Sequence, residues 1–546
     1  MKKLLALAMV MMLVLVSPAL ALTVSGVNEF PIVDEPYELT IMAVINANVD
    51  TWKDNATMKW YEEKTGVKIN WIEIADGGDV VNQIRLTLIS GDTPDIIMWY
   101  FPDTAMLQTF GSEGTIIPLN DLIQEHSYNA KKQLEEDDYL RRMITSSDGN
   151  VYTFWRVQYN PNEMIWNKQF LFMPWFEKYS EATGAGIPET LDEYRAMLEY
   201  FRDNDMNGNG DTTDEIPLLG NAGAAIEGGS SMGYIMSAFQ LWNCHDYYHI
   251  TDNGEIVFEA ITPEYRDGLS WINKLYEDGL YSSEDFVLTL NDYRAIVNAS
   301  SPDRIIVGLA AAPFYMRCVT QSIYERAYID FQAIAPLKNY YDENVREVYM
   351  RADGMVYPQT FICSSCEHPE IAVKWLDYWL SEEGLMKTDR FGVEGVDWEW
   401  TDEFPGLDGK TPSVAVHSTL SNAGNTSVPA CTGVPIYYTN ELFLKTADEP
   451  GSVNRVLNEY RSHLTYAPYA VYGNVPQVFW CADEDLLAEH SELKTTIDEY
   501  VRAGYASFIL GNTDIDSDAD WQAYLDGLES IGLSRYLEIL PQVLGL

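Results

Sequence analysis

The sequence predicts an α/β protein with at least two lobes. Strand-like and helix-like segments alternate through residues 37–100, and 546 residues exceed what one hydrophobic core organises. A composition of 47% hydrophobic and 13% aromatic residues is globular, because disordered acidic chains are poor in aromatics.

Each element has a local cause. Segment 37–44 (YELTIMAV) is a short apolar run and reads as a buried strand, followed by the polar Asn46-Ala47-Asn48. Segment 55–65 is helical and ends at Gly66, and 67–74 (VKINWIEI) alternates apolar and polar residues as a strand does. Segment 80–89 places Val81, Ile84 and Leu88 on one helical face, Gly91 ends it, and Pro94 prevents its continuation. Segment 95–100 (DIIMWY) is the next strand, so crossover units and a mostly parallel sheet are expected. Further along, 191–201, 232–242 and 263–277 read as helices, and 304–309 and 331–335 as strands. Helix 369–381 carries Ala372, Trp375, Leu376 and Trp379 on one stripe, and Trp521, Tyr524, Leu525 and Leu528 form another near the C-terminus.

Charge and the N-terminus restrict the function classes. A net charge of −48 repels phosphate backbones and anionic lipid faces, which excludes nucleic acid as a partner. Lys2 and Lys3 precede an apolar run at 4–16, then Ser17-Pro18 and the small-x-small Ala19-Leu20-Ala21, the pattern of an export signal over 1–21. The run is too short to span a bilayer, which takes roughly 20 residues. The mature chain is expected to start near Leu22 and to be periplasmic or cell-surface. No Cys precedes Cys244, so no lipidation Cys is evident. Cys363-Ser-Ser-Cys366 reads as a local disulfide or two free thiols rather than a redox centre.

Seven colinear stretches resemble the extracellular solute-binding protein family 1, in its large LipO-like oligosaccharide-binding subgroup. They are SGDTPDI at 90–96, DGNVY at 148–152, YNPNEMIWNK at 159–168, the loop at 205–217, the HPEIAVKWLDYWLSEEG helix at 368–384, FGVEGV at 391–396 and SRYLEI at 534–539. The resemblance implies a bilobal type II periplasmic-binding fold with a hinge of crossover segments. Lobe 1 would hold 37–155 and about 353–400, and lobe 2 about 159–350 and 401–546, with chain passages near 155–159, 353–361 and Trp400. It also implies a monomeric importer component that carries an oligosaccharide to an ABC permease and performs no covalent chemistry. A secreted carbohydrate-active enzyme is the alternative, as is a binding protein for peptides or lipid-derived ligands.

Ligands of open parallel sheets sit beyond the carboxyl ends of the strands. Trp99 and Tyr100 at the end of 95–100, and Trp155 and Arg156 closing a strand from Val151, are therefore expected in the cleft. Aromatic rings cover the C–H faces of sugars, while hydroxyls require Asp, Asn, Arg or Glu. Trp398, Trp400, Asn46, Asn48, Asp76, Asp79, Asp353 and Glu394 complete the candidates, each with core or surface packing as its competing role. The acidic surface makes neutral glycans favoured over uronates, although Arg156 or Lys168 offers local compensation. Asp205, Asn207, Asn209 and Asp211 have the oxygen spacing of a calcium loop, with Gly210 at its sharp turn. Asp214 and Glu215 follow as closing carboxylates, one or two residues earlier than in an EF-hand; a solvated polar turn is the competing role, and the resemblance implies a structural Ca2+. Gly229-Ser230-Ser231-Met232-Gly233 matches a nucleophile elbow, but no strand precedes it, and a helix cap is expected instead. His245 and His249 stand four apart without the glutamate of a zinc helix or a third ligand.

Overall fold

The computed structural model describes residues 22–45, 49–75, 79–99, 102, 104–158, 165–222, 229–319, 326–350, 355–388, 392–417, 428, 432–472, 484–544 and 546. In the first lobe, strand Tyr37–Ile45 pairs in parallel with Val67–Ala75 along its whole length and with Ile96–Met98 on its other side. Phe361–Ile362 closes the sheet antiparallel to Ile96–Met98. Successive side chains alternate between two buried faces, as a sheet covered on both sides requires. Leu39, Ile41, Ala43, Ile96 and Met98 join Trp52, Tyr61, Trp375 and Trp379 on one face. Met42, Val44, Ile97 and Phe361 meet Ile84, Leu88 and Leu107 on the other. Gly66 and Gly91 end helices Ala56–Thr65 and Val80–Ser90 at φ of 74° and 73°, a conformation that favours glycine.

The second lobe has a sheet of order Phe331–Ile334, Gln169–Phe172, Val307–Ala311, Ile216–Leu219. Only the last two strands run parallel. Helix Leu191–Asp203 starts in a capping box, with Thr190 and Glu193 each satisfying the other's backbone N–H. Helices Pro263–Glu277, Glu484–Ile509, Asp518–Ser530 and Leu533–Leu544 contribute Leu269, Val501, Leu528 and Leu540 to the large core of this lobe.

A three-stranded sheet connects the two cores. Trp155–Gln158 is its centre, with Met355–Pro358 antiparallel and Ile436–Tyr438 parallel to it. Met355 belongs to the second lobe's core while Val356, its neighbour, belongs to the first. The third strand lies at Ile436–Tyr438 and not near Trp400. Strand Trp398–Thr401 instead forms a hairpin with Ser413–Val416, and Trp398 joins Leu385, Val414, Phe443 and Tyr460 in a smaller core.

Three expected elements differ. Strand Ile96–Met98 stops short of Trp99. Val151 makes only an isolated bridge to Thr145, so Trp155 and Arg156 open their strand rather than close it. The helix expected at 232–242 covers Ser231–Met236 only; the Ser237 hydroxyl bonds back to the Gly233 carbonyl at 3.0 Å, and the chain leaves in tight turns. Among the described residues, no helix is long and apolar enough to cross a membrane.

Candidate functional site

At the carboxyl edge of the second lobe's sheet lies a cavity of about 540 Å3, within the range of ligand sites. Its walls come from four places. Trp166 and Asn167 stand just before strand Gln169–Phe172, Ala222 and Gly229–Ser230 follow strand Ile216–Leu219, and Trp242 and Cys244–Tyr247 follow the short helix. Helix Glu484–Ile509 adds Ser491, Lys494, Thr495, Asp498, Arg502 and Tyr505, which recur at helical spacing on one face.

The aromatic part is braced from behind. Trp242, 1% exposed, stacks on Tyr265 with centroids 5.1 Å apart and an interplanar angle of 11°. The Trp166 ring meets the His245 imidazole edge to face at 4.1 Å. The Asn167 amide donates to the Trp242 carbonyl at 2.8 Å, tying two walls together.

The polar part is organised around Lys494. Its ammonium lies 2.7 Å from Asp498 and 3.3 Å from Asp246, and donates to the His245 carbonyl at 2.8 Å. Burial opposes that charge, yet the two carboxylates outweigh it and raise the Lys494 pKa. Burial raises the Asp498 carboxyl against the attraction of Lys494, and lowers the His490 imidazole. Behind the wall, the fully buried Glu259 accepts from the Asn243 N–H at 2.6 Å and faces His249 Nδ1 at 2.8 Å. Burial pushes its carboxyl up to about 7, against the pull of those partners. Asp285, also fully buried, is pushed up to about 6 by burial, against the hydrogen bonds from Tyr281, Ala222 and Ser231. Flat rings beside fixed donors and acceptors suit a polyhydroxylated ligand with apolar C–H faces.

The sequence-predicted residues fall elsewhere. Trp155 is fully buried in the first lobe's core, against Phe154 at 5.9 Å, with its indole N–H on Gln133 at 3.0 Å. Arg156 is buried in the connecting sheet, and Lys168 is buried with its ammonium on the Pro313 carbonyl at 2.8 Å. Trp99 follows its strand directly and is 7% exposed; the Gly433 backbone, at φ 95°, lies against it. Trp398 is locked in the smaller core by its N–H to the Gly392 carbonyl at 3.2 Å, Trp400 is exposed, and Glu394 stands on the surface beside that hairpin. Asp79 precedes helix Val80–Ser90 and accepts from the Asn82 and Gln83 amides. Asn46, Asn48, Asp76, Tyr100 and Asp353 lie outside the described residues. None of the described ligand candidates lines the 540 Å3 cavity. The polar stripe on helix Glu484–Ile509 was a sequence signal for it; the pairing of Trp166 with His245 was not.

The 205–215 loop is built as a tight polar cup. The Asp205 carboxylate accepts from the N–H groups of Gly208, Asn209 and Gly210 at 2.6, 3.1 and 2.8 Å. Asn207 and Asn209 accept from the backbone two residues on, and their amides donate to Asp214. Asp211 accepts from the Thr213 N–H and hydroxyl. Asp214 Oδ1 and Glu215 Oε2 are buried without a hydrogen-bond partner. Burial raises the Glu215 carboxyl, and Asp214 adds to the effect. Two adjoining orphaned carboxylate oxygens fit a cation, although no group of three or more Asp, Glu, His or Cys converges as a metal site among the described residues. At the serine motif, the Ser230 hydroxyl accepts from the Met232 N–H as a helix cap and Ser231 is buried. His245 lies in a turn and His249 in strand Tyr248–Ile250, so they share no helix.

The chain belongs to the bacterial extracellular solute-binding proteins: the profile of that family matches residues 56–392. It is 26% identical over 493 residues to the fructooligosaccharide ABC transporter substrate-binding protein FusA of Streptococcus pneumoniae, covering 88% of this chain and 84% of the relative. The structure of that pneumococcal protein in complex with kestose superposes with a TM-score of 0.70 at 22% identity, over 93% of this chain and 99% of the other. An EF-hand mutant of it, in complex with fructo-nystose, gives 0.69 at the same coverage and identity. An extracellular solute-binding protein from Bifidobacterium longum subsp. infantis gives 0.69 at 19% identity, over 93% and 98% of the two chains. These likenesses establish a bilobal solute-binding fold.

Proposed function

We propose that this chain is the exported substrate-binding component of an ABC importer, and that it captures an oligosaccharide and hands it on intact to a permease. The observation that carries the reading is the cavity at the sheet's carboxyl edge, where Trp166 and Trp242 stand beside the Lys494–Asp246–Asp498 cluster. Family membership and the fructooligosaccharide ligand of the pneumococcal relative support it. The connecting sheet supplies the hinge about which two lobes close on a ligand, and the closed form is what a permease distinguishes. Residues 1–21 are removed on export, and the mature protein acts as a monomer outside the cytoplasm. The serine motif offers no activated nucleophile among the described residues, because the hydroxyl of its central Ser231 is fully buried and no base contacts it, which favours binding over hydrolysis.

Ca2+ belongs to the 205–215 loop in this reading. Asp214 and Glu215 offer it their orphaned oxygens, and Asp205, Asn207, Asn209 and Asp211 complete an oxygen set suited to a hard cation. The ion neutralises adjoining carboxylates and fixes the loop; it has no part in ligand chemistry.

The test is calorimetric titration of the mature chain with kestose, maltotriose and a trimannoside, each sugar then recovered for mass measurement. Binding of at least one glycan, returned at its original mass, is the expected result. A shortened glycan overturns the binding-protein reading, and binding of peptides with no response to any sugar overturns the oligosaccharide.

A further inference from the structure

The rim of the cavity is clamped from behind by one carboxylate that never reaches the cavity itself. Asp285 Oδ1 accepts from the Ala222 N–H at 2.7 Å, and Oδ2 accepts from the Ser231 N–H at 3.3 Å and from the Tyr281 hydroxyl. Ala222 lines the cavity, and so does Ser230, which adjoins Ser231. The carboxylate therefore fixes the chain where it leaves strand Ile216–Leu219 and where it re-enters the short helix Ser231–Met236.

The surrounding geometry is built for that clamp. A Cβ at Gly220 would stand 2.8 Å from both Asp285 oxygens and 2.6 Å from the Ser231 nitrogen, so only glycine admits the carboxylate so close to the backbone. The Asn221 N–H donates to the Gly229 carbonyl at 2.8 Å, and the Asn221 amide to the Leu288 carbonyl at 2.7 Å, holding Asn221 against Gly229. A Cβ at Gly229 would stand 2.3 Å from the Ala312 backbone, which seats the second foot directly on the neighbouring strand's end. A fully buried carboxylate is costly, and fixing two backbone N–H groups at a ligand rim is a use that an apolar side chain cannot serve.

We propose that Asp285 is a positioning residue for ligand capture: its ionised carboxylate holds Ala222 and Ser230–Ser231 in the arrangement that receives the ligand. This rests on the reading of the cavity as the glycan site. Tyr281, Tyr293 and Tyr505 are the titratable groups around the carboxylate, and burial raises all three phenols, so they stay neutral through the range where Asp285 ionises.

The experiment compares wild type, Asp285→Asn and Tyr281→Phe, using kestose or whichever panel glycan binds. Asp285→Asn keeps the shape and one acceptor and loses the charge. Affinity is expected to fall about ten- to a hundredfold near pH 7.5, and less in Tyr281→Phe, with circular dichroism unchanged. Wild-type affinity is expected to fall as the pH drops through about 6, whereas Asp285→Asn lacks that component. His245, His490, Asp246, Asp498 and Lys494, other charged and ionisable groups at the cavity, are common to both proteins, so the difference between the two profiles isolates Asp285. Equal affinities, or a weakened Asp285→Asn whose pH profile runs parallel to wild type, overturn the proposal. Wild type binding no glycan overturns the functional reading instead. The clamp is then read from hydrogen exchange in the ligand-free protein, where Ala222 and Ser231 amides no faster in Asp285→Asn than in wild type overturn it.

Discussion

Replacing Lys494 by Met tests whether the cavity wall is held by charge. The change keeps most of the apolar stem and removes an ammonium that two carboxylates share, at 2.7 Å from Asp498 and 3.3 Å from Asp246. The three side chains are 27%, 23% and 15% exposed, between a surface pair and a sealed one. Breaking a sealed pair costs ~3–5 kcal/mol and a surface pair under ~1, so about 2 kcal/mol is expected here. The pH dependence identifies the cause. Without the ammonium, burial and the nearby Asp246 charge raise the Asp498 carboxyl unopposed, so the penalty is full near neutrality and fades as acid protonates it. In the wild type the Lys494 pKa is raised, so its contribution is complete below the unfolded lysine value and is lost only in strong alkali. Urea unfolding followed by tryptophan fluorescence, at several pH values between about 7.5 and 5, reads both effects. A loss under about 0.5 kcal/mol refutes the charge argument. So does a gap that stays constant on acidification, which would assign the cost to packing.

Four further outcomes are expected. Trp166→Ala weakens glycan affinity at least about tenfold with a small stability change, because the ring is only partly buried; calorimetry checks it. Added Ca2+ raises the unfolding free energy read from a urea series, by about 2.7 kcal/mol at a hundredfold excess over its dissociation constant, and the Asp214→Asn/Glu215→Gln double variant shows no such rise. Gly433→Ala loses more than about 2 kcal/mol, since φ is 95° and the new Cβ would stand 2.4 Å from the Trp99 nitrogen; a wild-type midpoint would contradict that geometry. The Glu259 carboxyl lies at about 7 rather than 4.5, so its native form holds more protons across that window. Wild-type stability should therefore fall as pH rises through it, by up to ~1.4 kcal/mol per unit, and Glu259→Gln should remove that slope in a urea series.

Much of the fold was legible because its causes are local. Gly66 and Gly91 end their helices in the left-handed region, and the apolar runs at Tyr37–Ile45 and Ile96–Met98 form strands buried on both faces. Helix boundaries were less so: the stretch expected as a helix at 232–242 is helical over Ser231–Met236 only and continues in turns. The site was hardest. Trp155 and Trp166 flank the same crossover, and composition treats them alike. Trp155 faces Phe154 inside the first core, while Trp166 faces His245 on the cavity wall.

The sequence by itself determined the alternation of strands and helices, the net charge of −48, and the polar cup at 205–215, whose oxygens follow one another along the chain. Only the tertiary structure decided which aromatic rings are core and which line a cavity, and where the third connecting strand runs. It alone brought Lys494 to Asp246, and Asp285 to the two ends of a rim. Periodicity and spacing report on neighbours within a few residues. A buried charge is tolerable only through partners that chain topology supplies from far away, and that pairing is absent from any local window.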